Sequence, residues 1–141
     1  MIKEIVQQWE ANKHKLAEYF RNTLQEEYDD YDIILKKLFE LCLHDVDGEL
    51  IYDTEQMTKI DNGDYQGTII YLIPEQRYQP SAENYLVTFV DYGSCSGCDT
   101  LQGIHGYNRD FPSEEQVKQY MLLALHLVQK MKWLYSEEET E

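Results

Sequence analysis

Several features are missing from this sequence, and each gap removes a class of protein. No stretch approaches the ~18 consecutive apolar residues of a membrane-spanning helix. The opening Met1-Ile2-Lys3-Glu4-Ile5 has no basic segment followed by an apolar run, so no secretion signal is expected. Only three cysteines occur, Cys42, Cys95 and Cys98, an odd and small number that does not suit a disulfide framework. A reducing, cytoplasmic setting is expected instead. Basic residues are scarce too: 12 Lys and Arg stand against 27 Asp and Glu, for a net charge of −15. Charge of that sign and size repels phosphates, which argues against direct nucleic acid binding and favours a partner with a basic surface. There is no Walker loop, no GxSxG, no HExxH and no Rossmann fingerprint. The histidines His14, His44, His105 and His126 show no ligand spacing. No cofactor is expected, and no complete catalytic set can be assembled.

What is present describes a folded domain. The chain has 141 residues with 43% apolar and 13% aromatic content. That is ample for one core, since a domain of this size buries roughly two-thirds of its unfolded surface. Tyrosine supplies twelve of the aromatics, against four Phe and two Trp. Its apolar ring and polar tip suit half-buried positions and contact surfaces, so an acidic, tyrosine-rich interaction surface is expected. The excess of acids is spread along the chain: residues 1–50 hold 12 acids and 6 bases, 51–112 hold 9 and 3, and 113–141 hold 6 and 3.

The apolar periodicity gives the order of elements. Ile2, Ile5, Val6, Trp9, Leu16, Phe20, Leu24 and Tyr28 recur near 3.6 residues and predict a long helix over 2–28, with a bend at the polar stretch 11–15. Asp29-Asp30 offers a stop and a new N-cap. A second helix over 31–43 then carries Ile34, Leu35, Leu38, Phe39 and Cys42 on one face. Beyond the turn at Asp45-Val46-Asp47-Gly48 the pattern changes to strands. A weakly alternating segment over 55–61 leads into Asp61-Asn62-Gly63-Asp64, a hairpin signal. Residues 68–73 and 85–90 are rich in β-branched and aromatic residues and read as strands. A loop covers 92–110, and Pro112-Ser113-Glu114-Glu115-Gln116 opens a capped last helix that looks nearly buried all round. The expected fold is α+β: two N-terminal helices, a small three-stranded antiparallel sheet and a C-terminal helix. It forms one domain over 1–136, with a frayed acidic tail at 137–141.

The most unusual segment is Tyr92-Gly93-Ser94-Cys95-Ser96-Gly97-Cys98-Asp99-Thr100-Leu101-Gln102. A C-x-x-C pair among small residues can bind metal, cycle a disulfide or hold a reactive thiol, and its glycines allow an anion-binding nest. A zinc site needs four ligands, and the pair supplies two; His105 could join from the same loop, while Cys42 and His44 point to different helix faces. Thiol redox chemistry wants a helix N-terminus and positive surroundings, yet Asp99 adjoins Cys98 and disfavours the thiolate. A nucleophilic thiol needs a base, for which His105 and His44 are the nearest in sequence. Against these stands plain packing of small residues in a tight loop. Cys42, on the apolar face of the second helix, reads as core. Asp45-Val46-Asp47-Gly48-Glu49 lacks most ligand positions of a calcium loop and reads as a polar turn. If the 61–67 hairpin pairs with the 85–90 strand, its turn would share a pocket with the cysteine loop. The candidate binding site is therefore Tyr92, Gly93, Ser94, Cys95, Gly97, Cys98 and Asp99 with Asp64, Tyr65 and Gln66; no catalytic residue is assigned, and any metal would use Cys95, Cys98 and His105.

The run YGSCSGCDTLQ, with DNGDYQGT before it, is similar to a group of small uncharacterised proteins of bacteriophages and their bacterial hosts. The similarity spans about residues 57–105. It implies an accessory protein of a phage or mobile element, acting in the host cytosol on host machinery, and it carries over no catalytic residue. The leading expectation is a non-catalytic binding protein that engages, and inhibits, a basic host macromolecule. The runner-up is a cysteine-centred site at Cys95 and Cys98. A third class is an oligomer built through the long N-terminal helix; the sequence leaves the oligomeric state open.

Overall fold

The computed structural model describes residues 2–28, 30–44, 51–61, 63, 67–76, 84–93, 100–105 and 110–134. In chain order these form α1 (Lys3–Arg21), a 3-10 turn (Gln25–Tyr28), α2 (Tyr31–Leu41), a second short 3-10 turn (Thr54–Gln56), β1 (Thr58–Asp61), β2 (Gly67–Pro74), β3 (Tyr85–Tyr92), α3 (Thr100–His105), α4 (Glu114–Lys130) and β4 (Lys132–Trp133). The α+β class, the helix pair at the start, the antiparallel sheet and the last helix are as the sequence predicts.

The first helix differs from its expected outline. It runs uninterrupted through residues 11–15 and ends at Arg21, where Asn22 donates its backbone N–H to Glu18 O. Asn12 explains the polar middle: its Nδ2 donates to Cys42 O at 3.2 Å, so the stretch tethers α1 to the end of α2. The chain between the helices turns at 22–24, and Tyr28 folds back to donate from its hydroxyl to Phe20 O at 3.1 Å. That carbonyl lies in the last turn of α1, where backbone acceptors have no intrahelical partner. Asp30 caps α2, its side chain accepting from Asp32 N at 2.9 Å.

The sheet has four strands in the order β1-β2-β3-β4, all antiparallel neighbours. The two-residue β4, which the sequence pattern did not signal, pairs Trp133 with Leu86 and Lys132 with Val87. Alternation along β2 and β3 buries one face only: Ile69, Tyr71, Ile73, Leu86, Thr88 and Val90 point inward. That face packs on α4 and on the start of α2. Thr88 Oγ1 donates to Leu127 O at 2.8 Å, satisfying an orphan carbonyl of the last turn of α4, and Tyr71 donates its hydroxyl to Asp32. α4 opens with a capping box, Ser113 Oγ accepting from Gln116 N and Gln116 Oε1 accepting from Ser113 N. Its buried face is Val117, Tyr120, Leu123, Ala124, Leu127 and Val128, whereas Leu122 is exposed. The helix is thus half-buried and not buried all round as its leucine count suggests.

One contiguous core joins these elements. At its centre Phe20, Tyr28 and Tyr120 cluster with ring centroids 5.0–5.2 Å apart, Phe20 stacked on Tyr120 and Tyr28 edge-on to Tyr120. The apolar stripe of α1 (Ile5, Trp9, Leu16 and Phe20) is buried within the same chain. It is therefore not offered to another helix, which removes the basis for an oligomer through α1.

Candidate functional site

The sheet register brings the two sequence-predicted loops to one corner. Gly67, the first residue of β2, pairs with Tyr92, the last of β3. The hairpin connection after Asp61 and the chain leaving β3 at Gly93 therefore start side by side. The link is direct: Tyr92 Oη lies within hydrogen-bond distance of both Asp61 Oδ1 and Gly63 O, the latter at 2.7 Å. Gly63 N in turn donates to Asp61 Oδ1 at 3.1 Å. These donors hold the Asp61 carboxyl below its ordinary range, the Tyr92 hydroxyl first and the Gly63 N–H next. One row further, Thr68 Oγ1 donates to Asp91 Oδ1 at 2.7 Å across the β2–β3 pair.

The far end of the cysteine segment is anchored as well. Where the sequence predicts a loop, residues 100–105 form the short helix α3. Leu101 N donates to Tyr31 Oη at 3.1 Å, fixing the start of α3 against α2. Gln116 Nε2 donates to Ile104 O at 3.1 Å, fixing its end against the α4 cap. Two small cavities open beside Thr100. One of about 240 Å³ is walled by Ile104, Leu122 and Leu123; the other, of about 120 Å³, by Val90, Asp91 and Lys130. Thr100, Leu123 and His126 belong to both.

Of the predicted site residues, the structure thus places Tyr92 and Gly93 at this corner. Ser94, Cys95, Gly97, Cys98 and Asp99, like Asp64, Tyr65 and Gln66, lie outside the described residues, as do the Asp45–Glu49 turn and the 137–141 tail. The backbone of His105 ends α3. Among the described residues no three His, Cys, Asp or Glu side chains gather as a metal-binding group. Cys42 is fully buried, its thiol donating to Asn12 O at 3.5 Å, and burial pushes that thiol up to about 11. His44 Nε2 sits 3.1 Å from Leu41 O in the turn after α2. Cys42 is core, as its position on the helix implies.

Eight of the twelve tyrosines lie among the described residues. Among the described residues, Tyr28, Tyr31, Tyr52, Tyr71 and Tyr120 are buried and Tyr19, Tyr85 and Tyr92 are half-buried. Their hydroxyls reach inward partners: Tyr120 donates to Gln25 Oε1 at 2.7 Å, while Gln25 Nε2 donates to Asp110 O at 3.0 Å. The most exposed Phe among the described residues is Phe111, 56% exposed against 39% for Phe89, in Asp110-Phe111-Pro112 just before the α4 cap. The bonds from Gln25 to Asp110 draw the 3-10 turn, with Glu26 and Glu27, up to this segment. Arg21 joins it to α1, pairing with Glu18 and, at 2.8 Å, with Glu114. These bonds thus tie the acidic 3-10 turn and the start of α4 to the Asp110-Phe111-Pro112 segment, with Arg21 paired between Glu18 and Glu114. Sequence reasoning missed this arrangement because its members come from three separate segments.

A further cavity, of about 550 Å³, lies along α1 between Glu4, Gln8, Asn12, Lys15 and His44. Gln8 Oε1 there is a buried acceptor without a donor. No helix among the described residues is long and apolar enough to cross a membrane. No protein-family model, no curated protein and no solved structure matches the chain.

Proposed function

We propose that this chain is a non-catalytic binding protein whose acidic surface engages a basic, apolar-centred surface of a host macromolecule. The observation that carries this is Phe111, more than half exposed, in a segment that is bonded to the acidic 3-10 turn and runs into Glu114 and Glu115. Interfaces draw most of their energy from a few aromatic or Arg anchors seated in pockets, with charged rims that steer and orient the encounter. An exposed phenyl in an acidic frame is the counterpart of an apolar pocket rimmed by Lys and Arg, as on a nucleic-acid-binding groove. The −15 net charge supplies long-range attraction to such a target. Five of the described tyrosines are buried, so this proposal rests on Phe111 and the carboxylates. The resemblance read from YGSCSGCDTLQ to small phage and bacterial proteins would make it an accessory factor that inhibits or redirects its target in the host cytosol.

Its test is capture of a partner from bacterial lysate at low and high salt. A partner held at low salt and released at high salt, and lost with Phe111→Ala, supports an electrostatic binder with an aromatic anchor. Retention unchanged by salt contradicts it.

A cysteine-centred site is the second proposal, favoured by His126 lining both cavities next to Thr100, two residues after Cys98 in the sequence. It requires stoichiometric zinc or rapid alkylation of Cys95 and Cys98 near neutral pH. Slow alkylation together with a metal-free protein purified under zinc-replete conditions removes it.

A further inference from the structure

The sheet covers its inner face with helices and leaves the other face to solvent. By the two-residue alternation, the outer face carries rows set by the strand register. Ile60, Ile70 and Phe89 stand side by side in one row; Thr58, Leu72, Val87 and Lys132 form the next. Pro74, Tyr85 and Leu134 follow, Leu134 N donating to Tyr85 O at 2.9 Å; on the other side of the Phe89 row come Thr68 and Asp91. Ile60 is 45% exposed, Phe89 39% and Leu134 47%, and Ile70, Leu72 and Val87 are partly exposed. These six form one continuous apolar patch, near the size of the largest patch on a typical monomer, which is often functional.

The charges on this face say what fits it. Elsewhere the molecule is dominated by carboxylates, yet here two lysines stand against one aspartate. Lys130 lies over the Phe89 ring, 4.7 Å from its centroid, Lys132 sits beside Val87, and Asp91 lies two residues beyond Phe89. A basic partner is not drawn to two lysines. A second copy of the same face is complementary to it. Consider a two-fold axis running across the strands along the Ile60–Ile70–Phe89 row. It lays that row on itself and exchanges the rows two residues to either side. Asp91 of one copy then lies over the Val87–Lys132 row of the other, and the reverse, as an isologous contact requires.

We propose that the outer sheet face is the contact surface of a homodimer, packed sheet on sheet with Phe89 at the two-fold and Asp91–Lys132 pairs flanking it. The face spans four strands at ~4.8 Å and six residues at ~3.4 Å, roughly 14 by 20 Å. That is well under the ~800 Å² per partner of a standard interface. The dimer is therefore weak and concentration-dependent. Each protomer carries −15, so long-range repulsion opposes association and added salt strengthens it, the reverse of the salt effect on a basic partner. This dimer is independent of the Phe111 end and stands or falls by a separate measurement.

Sedimentation velocity of the full chain over a concentration series tests it, at low salt and at about 1 M, where the Debye length is roughly 3 Å. Dimerisation that tightens with salt and weakens at least about tenfold in Phe89→Asp is expected. At about 0.15 M salt, Asp91→Lys and Lys132→Asp should each weaken it by about tenfold, and the double variant should recover most of the loss, as a directly paired contact does in a double-mutant cycle. Both charge variants change exposed side chains, so their folding is not at issue. A wild type that stays monomeric at every salt and concentration overturns the proposal. So does a dimer untouched by Phe89→Asp, or single charge reversals that the double variant fails to rescue.

Discussion

At the residue scale, the tyrosines decide how this small protein holds its interior together. Tyr120, Gln25 and the carbonyl of Asp110 form a buried chain of hydrogen bonds that ties α4 to the 3-10 turn and to the segment before the cap. Removing one member leaves a buried acceptor with no donor. Tyr120→Phe should therefore cost about 1–3 kcal/mol, more than loss of a typical solvent-exposed hydrogen bond, because Gln25 Oε1 stays buried and unsatisfied. Urea unfolding measures the difference, and a change within error would mean that Gln25 finds another donor. None of this network is visible in the sequence. Composition reveals twelve tyrosines but not which side of the fold their hydroxyls face, and a half-polar ring serves a core as well as a contact surface.

The elements themselves were largely legible, for a physical reason. α2, α4 and the strands β2 and β3 carry strong periodicity together with explicit end signals: Asp30 and Ser113 as caps, and Pro74 closing β2. Ser113→Ala removes the Oγ half of the capping box and should destabilise by about 1 kcal/mol, with a lower thermal midpoint in calorimetry. Ser113→Asp should retain most of the stability, since a carboxylate also accepts at that position. The elements that escaped sequence reasoning are those set by tertiary partners. β4 is two residues long and exists through its pairing with β3. α3 has six residues, too few to be stable alone, and is held by Tyr31 at one end and Gln116 at the other. The shared corner of the candidate site was half legible: the hairpin signal and the strand implied that the two loops meet. The bonds from Tyr92 to Asp61 and Gly63, and the cavities at His126, required the fold.

For the whole molecule, burial of acidic protons sets an alkaline limit. Burial pushes the Cys42 thiol up to about 11 from 9.0, and burial with help from Glu75 and Glu4 pushes the Tyr52 hydroxyl up to about 12 from 10.0. Tyr28 and Tyr71 are raised as well, burial being the largest cause for both. In each case the unfolded chain gives up its proton at a lower pH than the folded one. Above pH 9 the unfolded state therefore binds fewer protons, and stability falls as pH rises. The full margin should be present below about pH 9 and decline through pH 9–12. Urea midpoints across that range check the sign, and Cys42→Ala should delay the onset of the decline. A midpoint that holds steady to pH 12 would contradict the buried placement of these groups.

The same scale holds the central proposal, that an exposed aromatic in an acidic frame gives this chain its partner. The most direct test compares wild type, Phe111→Ala, Glu114→Gln/Glu115→Gln and Cys95→Ser/Cys98→Ser in capture from bacterial lysate at two salt concentrations. Capture that survives the cysteine changes, weakens with the glutamate changes and disappears with Phe111→Ala or high salt is the expected result. Capture indifferent to Phe111 and salt but lost with the cysteines would contradict it and place the function in the loop between Gly93 and Thr100.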